Sequence, residues 1–335
     1  MKPHFLKILA IPLLLIIFSG CSSNNTDPEP TPVAGCSGNT FFAIHNVSNT
    51  TNPVLHSTFD VVDNNGAQPV VANFFQIIAP PYSTTDTTLN SIFMHGGTFS
   101  NGIFAIVDQR NQNLYKINTL GTVVKTATPS NKINAAIYLD NKLYFGQYSN
   151  ADNTKFDILN DTYTSLATIT VSPNYQNFGS YVGNPDTFSS ATDGVNLYFL
   201  FGQNLITYNV AANTIVNSFF DTSQNVPDGC YIGVESIGGE KLLAMRFNNA
   251  TMKTDLYELN VADPANVTKS VIISLGYHVN VDNYSTTYDD CSKRYYVSTG
   301  PGNVNSLTKV NLSGTPSVVT VNTSPNYWCG IAIKK

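Results

Sequence analysis

The feature that most constrains this 335-residue chain is a short strand-like pattern, Leu-x-x-apolar-Asn, that returns at near-regular intervals. It reads Leu114-Tyr115-Lys116-Ile117-Asn118, Leu205-Ile206-Thr207-Tyr208-Asn209, Leu256-Tyr257-Glu258-Leu259-Asn260 and Leu307-Thr308-Lys309-Val310-Asn311, with a looser copy over Phe156-Asp157-Ile158-Leu159-Asn160. The Asn residues are spaced by 42, 49, 51 and 51 residues. A supersecondary unit that repeats at this interval buries its apolar faces against its neighbours, so the repeat dictates an array of like units.

The neighbours of each copy also recur. Before it comes a strand, as at 142–148, 196–201, 241–247 and 293–298, preceded by a turn such as Asp140-Asn141, Asp193-Gly194 or Gly238-Gly239. Before that turn lies another strand, at 133–139, 188–192, 231–236 and 284–288, and a fourth follows the motif, at 122–126, 166–171, 214–220, 268–275 and 317–321. Four strands per repeat of this length predict the blades of a β-propeller. The chain ends explain each other: 328–333 reads as a first strand with nothing after it, and 40–46 reads as a second strand with nothing before it. Joined, and completed by 56–62 and 69–75, they make a sixth blade. The expectation is an all-β, six-bladed propeller over residues 36–335, closed by strand exchange between its C-terminal and N-terminal strands. Seven blades remain open as an alternative, because 74–91 has room for further strands. This blade grammar resembles bacterial propellers of the YVTN-repeat and NHL-repeat kind; the Trp-Asp dipeptides of WD40 blades and the Asp boxes of sialidases do not occur.

Composition agrees. Charged residues are 12% of the chain, about half the usual share, and Thr and Tyr, which favour pleated half-buried strands, are abundant. The first twenty residues carry Lys2 and Lys7, an apolar run over 8–18 and then Phe18-Ser19-Gly20-Cys21. The run is too short for a spanning helix and fits a signal peptide. The tetrad resembles the lipobox of bacterial lipoproteins of the Bacteroidota type, which implies cleavage after Gly20, lipidation of Cys21, and anchoring outside the cytoplasm at the outer membrane, in the periplasm or on the cell surface. Residues 21–35, polar and Pro-spaced, are expected to be a flexible tether. Cleavage removes two lysines and no acid, taking the formal charge from −5 to −7, so nucleic acid is not an expected partner.

Four cysteines remain for a compartment that permits disulfides. Cys36–Cys291 would staple the entering chain to the neighbouring blade and Cys36–Cys329 would lock the strand exchange directly; both are open, with Cys230 as a buried thiol. Loops leading into the first strands bring together Asn134, Asp186, Asp228, Asp282, Asn326, Tyr327 and Trp328 at one mouth of the channel. Their oxygens suit calcium, and aromatic faces beside amides suit a sugar; equally, Asn and Asp are good turn residues. His95, on an expected first strand, and His278, in a loop, could serve acid–base chemistry, or be structural. No catalytic motif occurs. The expected function is a non-enzymatic binding or scaffolding module for a glycan, peptide or protein partner. The alternative is a calcium-type, metal-dependent propeller hydrolase or lyase, with Asn134, Asp186, Asp228 and Asp282 as ligands.

Overall fold

The computed structural model describes residues 40–47, 56–63, 72–78, 98–100, 102–108, 113–118, 123–127, 133–148, 155–171, 188–221, 230–280, 284–299, 306–322 and 327–333. The regular elements among them are all β-strands. The first three are β1 (Thr40–Val47), β2 (His56–Asp63) and β3 (Ala72–Ile78). The next sheet holds β4 (Thr98–Ser100), β5 (Ile103–Asp108), β6 (Asn113–Asn118) and β7 (Val123–Ala127). A third holds β8 (Ile133–Leu139), β9 (Lys142–Tyr148), β10 (Lys155–Leu159) and β11 (Ser165–Thr170). Then come β12 (Phe188–Thr192), β13 (Asn196–Phe201), β14 (Asn204–Asn209) and β15 (Thr214–Phe219), and β16 (Tyr231–Gly238), β17 (Lys241–Asn248), β18 (Lys253–Asn260) and β19 (Thr268–Ser274). The last set is β20 (Tyr284–Asp289), β21 (Arg294–Thr299), β22 (Ser306–Asn311) and β23 (Ser317–Asn322), followed by β24 (Tyr327–Ile333).

Each sheet is a four-stranded antiparallel meander in chain order, except that β24 leads the first: β24-β1-β2-β3. Phe41 lies opposite Ile333 and Asn46 opposite Tyr327, with a bulge between Ile44 and His45. The first strands touch in the succession β4, β8, β12, β16, β20, β24, and β24 touches β4.

The repeated Asn has a local cause. Where the third strand turns into the fourth, its side-chain oxygen accepts backbone amides just ahead: Asn160 from Thr162 (3.1 Å) and Thr164 (2.8 Å), Asn209 from Ala212 (2.8 Å), Asn260 from Ala262 (3.0 Å) and Asn311 from Ser313 (3.2 Å). A short amide side chain that mimics a backbone turn is what this corner needs. Leu and the apolar residue of the motif point to opposite sides or neighbouring layers of the core: Leu205 packs with Tyr198, Tyr231 and Leu242, whereas Ile206 and Tyr208 pack with Phe156, Phe199 and Phe201. Strand alternation thus feeds two different inter-sheet cores from one strand. Phe156, fully buried, stacks on Phe201 at 5.3 Å, a side chain whose burial contributes about 1.5–3 kcal/mol.

The first strands β12 and β20 are rich in Ser and Thr, and the first strands have one edge with no ladder partner. Hydroxyls of the adjoining sheet supply the missing bonds. Val234 N–H donates to Ser189 Oγ (3.0 Å), Ile331 N–H to Ser285 Oγ (2.9 Å), Ile333 N–H to Thr287 Oγ1 (3.1 Å), and Ser190 donates to the Ala136 carbonyl (3.2 Å). At a bulge in β16, Gly233 has φ +66°. Its N–H donates to Tyr284 Oη (3.3 Å) and its carbonyl accepts from Tyr295 Oη (2.6 Å). Both tyrosines are fully buried; the ring fills the core and the hydroxyl satisfies backbone. Each such bond is worth about 0.5–1.5 kcal/mol net, and leaving its buried partner unpaired costs more.

A buried ionic knot fixes the junction between the fourth and fifth of these sheets. Asp221 accepts from Arg246 and Lys269, and from Tyr231 Oη at 3.0 Å, while both cations lie over the Tyr231 ring at 5.2 and 5.8 Å.

Candidate functional site

In two of the turns that join first to second strands an Asp side chain accepts amides of its own turn. In the β12–β13 turn, Asp193 accepts the amides of Val195 (2.9 Å) and Asn196 (2.7 Å), the Asn196 side-chain amide (3.1 Å) and the Tyr198 hydroxyl (2.7 Å). Burial pushes its carboxyl up, but the Asn196, Tyr198 and Val195 hydrogen bonds outweigh that and hold it below the usual carboxylate range. In the β20–β21 turn, Asp289 accepts the Cys291 amide (3.0 Å) and the Ser292 hydroxyl, and Asp290 pairs with Lys293 (2.7 Å). Asp140 and Asn141 make the β8–β9 turn with φ of 50° and 64°.

These turns and the ends of the strands before them enclose an open cavity of about 670 Å³. Its wall is Tyr138 in β8 and Asp140 after it, Thr192 at the end of β12 and Asp193 after it, Ser236 and Ile237 in β16, Tyr288 in β20 with Asp290 and Cys291 after it, and Ile333 at the end of β24. Burial raises the Tyr138 and Tyr288 hydroxyls above the usual phenol range; Asp290 and Asp289 push Tyr288 further. Both hydroxyls therefore stay protonated and can donate to a ligand. Carboxylates and carbonyls of the turns can accept.

This cavity lies at the exit ends of the first strands, whereas the sequence reading placed a site at their entry ends. Asp186, Asp228, Asp282 and Asn326 lie outside the described residues, as do His95, Cys21 and Cys36. Three of the expected site residues lie in strands: Asn134 and Trp328 within the strands expected at 133–139 and 328–333, and Tyr327 one residue before the expected start of the latter. Asn134 falls within β8, at a bulge between Ile133 and Ala135. Tyr327 and Trp328 open β24, drawn into it by pairing with Asn46 and His45. Cys230 is a buried thiol in the core that contains Phe201, and His278 is exposed with its ring 4.4 Å from Phe247. Among the described residues, no group of three or more His, Cys, Asp or Glu could hold a metal ion. The wall residues had a signal that the reading passed over: Tyr138-Leu139-Asp140 and Tyr288-Asp289-Asp290 put a Tyr and an Asp at the same offset before the same turn in two repeats.

No protein-family model matches the chain, and no curated protein matches it. Solved structures do. A chain of a nidogen/laminin complex is similar over 88% of this chain and 98% of its own, with 13% identity and a TM-score of 0.53. A protein of unknown function from Bacteroides caccae is similar over 89% and 100%, with 9% identity and a TM-score of 0.52. Virginiamycin B lyase from Staphylococcus aureus, crystallised with quinupristin, aligns over 88% and 89%, with 9% identity and a TM-score of 0.48. At these identities the likeness is one of fold. The chain is an all-β protein of four-stranded antiparallel sheets in a propeller-like arrangement.

Proposed function

We propose that this chain is a lipid-anchored envelope protein whose six-bladed propeller, closed by strand exchange through β24, is a non-enzymatic binding module for a glycan. The observation that carries the binding role is the cavity at the exit ends of the first strands. Its volume falls within the range of small-ligand sites, about 300–1,000 Å³. Its wall combines the donors and acceptors that a polyhydroxylated ligand needs: protonated Tyr138 and Tyr288 hydroxyls and the Asp140 and Asp290 carboxylates. The six-bladed, closed reading is supported by six four-stranded sheets and by the mutual contact of their first strands. The anchor at Cys21 and the outer-membrane location rest on the lipobox-like tetrad alone.

A ligand that binds only the native state raises its melting temperature. Residues 36–335 are screened by thermal shift against a panel of neutral glycans, with calcium and EDTA as controls. The reading predicts a glycan-dependent rise that Tyr288→Phe and Asp140→Asn reduce. It fails if no glycan shifts the transition, or if both variants keep the full shift; a calcium-dependent rise with no glycan response would point to the metal chemistry expected from 186, 228 and 282. Anchoring is tested by labelled palmitate, whose incorporation Cys21→Ala should abolish.

A further inference from the structure

We propose that Cys291 is joined by a disulfide to Cys36, stapling the segment that enters β1 to the β20–β21 turn. Cys291 is disulfide-bonded and half-buried in that turn. Its partner follows from register. Cys230 carries no disulfide and sits in the core between two other sheets. Cys329 lies in β24, beside β20. The bonds from Ile331 N–H to Ser285 Oγ and from Ile333 N–H to Thr287 Oγ1 set those pairs level. Cys329 is therefore level with the entry to β20, while Cys291 lies past its exit at Asp289. The six residues between the two levels span about 20 Å at roughly 3.3 Å each, and a disulfide requires Cα atoms no more than about 7 Å apart.

Cys36 precedes the start of β1 by four residues in the sequence, and that start lies at the Cys291 end. Phe41 lies opposite Ile333, so the chain enters β1 where β24 finishes, and Ile333 shares a cavity wall with Cys291. The four residues from Cys36 to Thr40 reach about 14 Å. The bond forms as the two thiols lose two protons and pass two electrons to a disulfide-bearing oxidant, which is reduced to its dithiol. Its place gives it a purpose. β24 lies between β20 and β1 and is held to β20 through the hydroxyls of Ser285 and Thr287; a covalent bond across that seam prevents β1 from parting from β20 when β24 frays. A persistent disulfide also requires an oxidising compartment, independently of the leader sequence.

The test uses the full chain, produced in an oxidising compartment, alkylated without reduction, cleaved with chymotrypsin and read by mass spectrometry. The expected result is a peptide pair joining Cys36 to Cys291, with Cys329 alkylated. A link from Cys291 to Cys329 or to Cys21, or an alkylated Cys291, would overturn the assignment. In a second measurement, reductant should lower the melting temperature of the wild type and of Cys329→Ser but leave Cys36→Ser unmoved; a Cys36→Ser protein that still responds to reductant would count against it. Neither readout depends on a ligand, so the staple and the glycan site stand or fall separately.

Discussion

Gly233→Ala probes the hydroxyl stitching between first strands with a cost that can be worked out in two parts. Gly233 has φ +66°, and an L residue in the left-handed region costs roughly 1–2 kcal/mol. A Cβ there would meet Thr286 Cγ2 and Tyr295 Oη, each at 2.7 Å, and Met245 Cε at 3.0 Å. Met245 can yield, but Thr286 is β-branched and Tyr295 is held by its 2.6 Å bond to the Gly233 carbonyl. Overpacking of this kind costs about 1–3 kcal/mol, for a total of about 2–5 kcal/mol. Gly314→Ala supplies the control: its φ is +74° with nothing within 4 Å of the new Cβ, so it carries the backbone cost alone. The entropy that Ala removes from the unfolded chain is common to both and cancels. Urea unfolding should place the Gly233→Ala midpoint below that of Gly314→Ala by about 0.3–1.5 M, for a slope of roughly 2–3 kcal/mol per molar. Equal midpoints at unchanged slope would refute the close inter-sheet packing at Gly233.

Asp221→Ala leaves Arg246 buried without its carboxylate and should lower unfolding free energy by about 3–5 kcal/mol, whereas Asp221→Ala combined with Arg246→Met should recover part of the loss; calorimetry distinguishes them. Asn311→Ala removes the turn bond to Ser313 and should cost about 0.5–1.5 kcal/mol, read as a fall in melting temperature with the fold intact by circular dichroism. Because the folded-state carboxyl of Asp193 sits below its unfolded value, it adds stability that is complete above the unfolded value, about pH 4, and is lost as pH falls through the folded one. Asp193→Asn should therefore flatten the decline of melting temperature on acidification below about pH 4, and an unchanged decline would rule out that contribution.

Strand positions were legible because they follow from alternation and from an Asn whose turn bonds recur in four repeats. The partner of β1 was legible from a strand missing at one end of the chain and surplus at the other. The cavity at the exit ends of the strands was not legible. Asp193 and Asp289 look like ordinary turn residues, and they are: their oxygens are engaged by their own turns, and a wall appears only when several turns converge. Sequence left Cys291 and Cys329 both open as partners of Cys36, since the choice depends on how β24 is staggered against β20. The first strand expected around His95 corresponds to the short β4 at Thr98–Ser100, whose three residues carry too little alternation to fix their position.

The cavity wall and the proposed staple both require that β24 complete the first sheet beside β1. Amide hydrogen exchange measures this directly. In a closed ring, Phe41 to Val47 and Ile331 to Ile333 exchange as slowly as Leu197 to Phe201 in the buried strand β13, because all of them open only with global unfolding. Exchange at β24 and the facing edge of β1 at rates near those of an unstructured chain, with β13 still protected, would contradict the account.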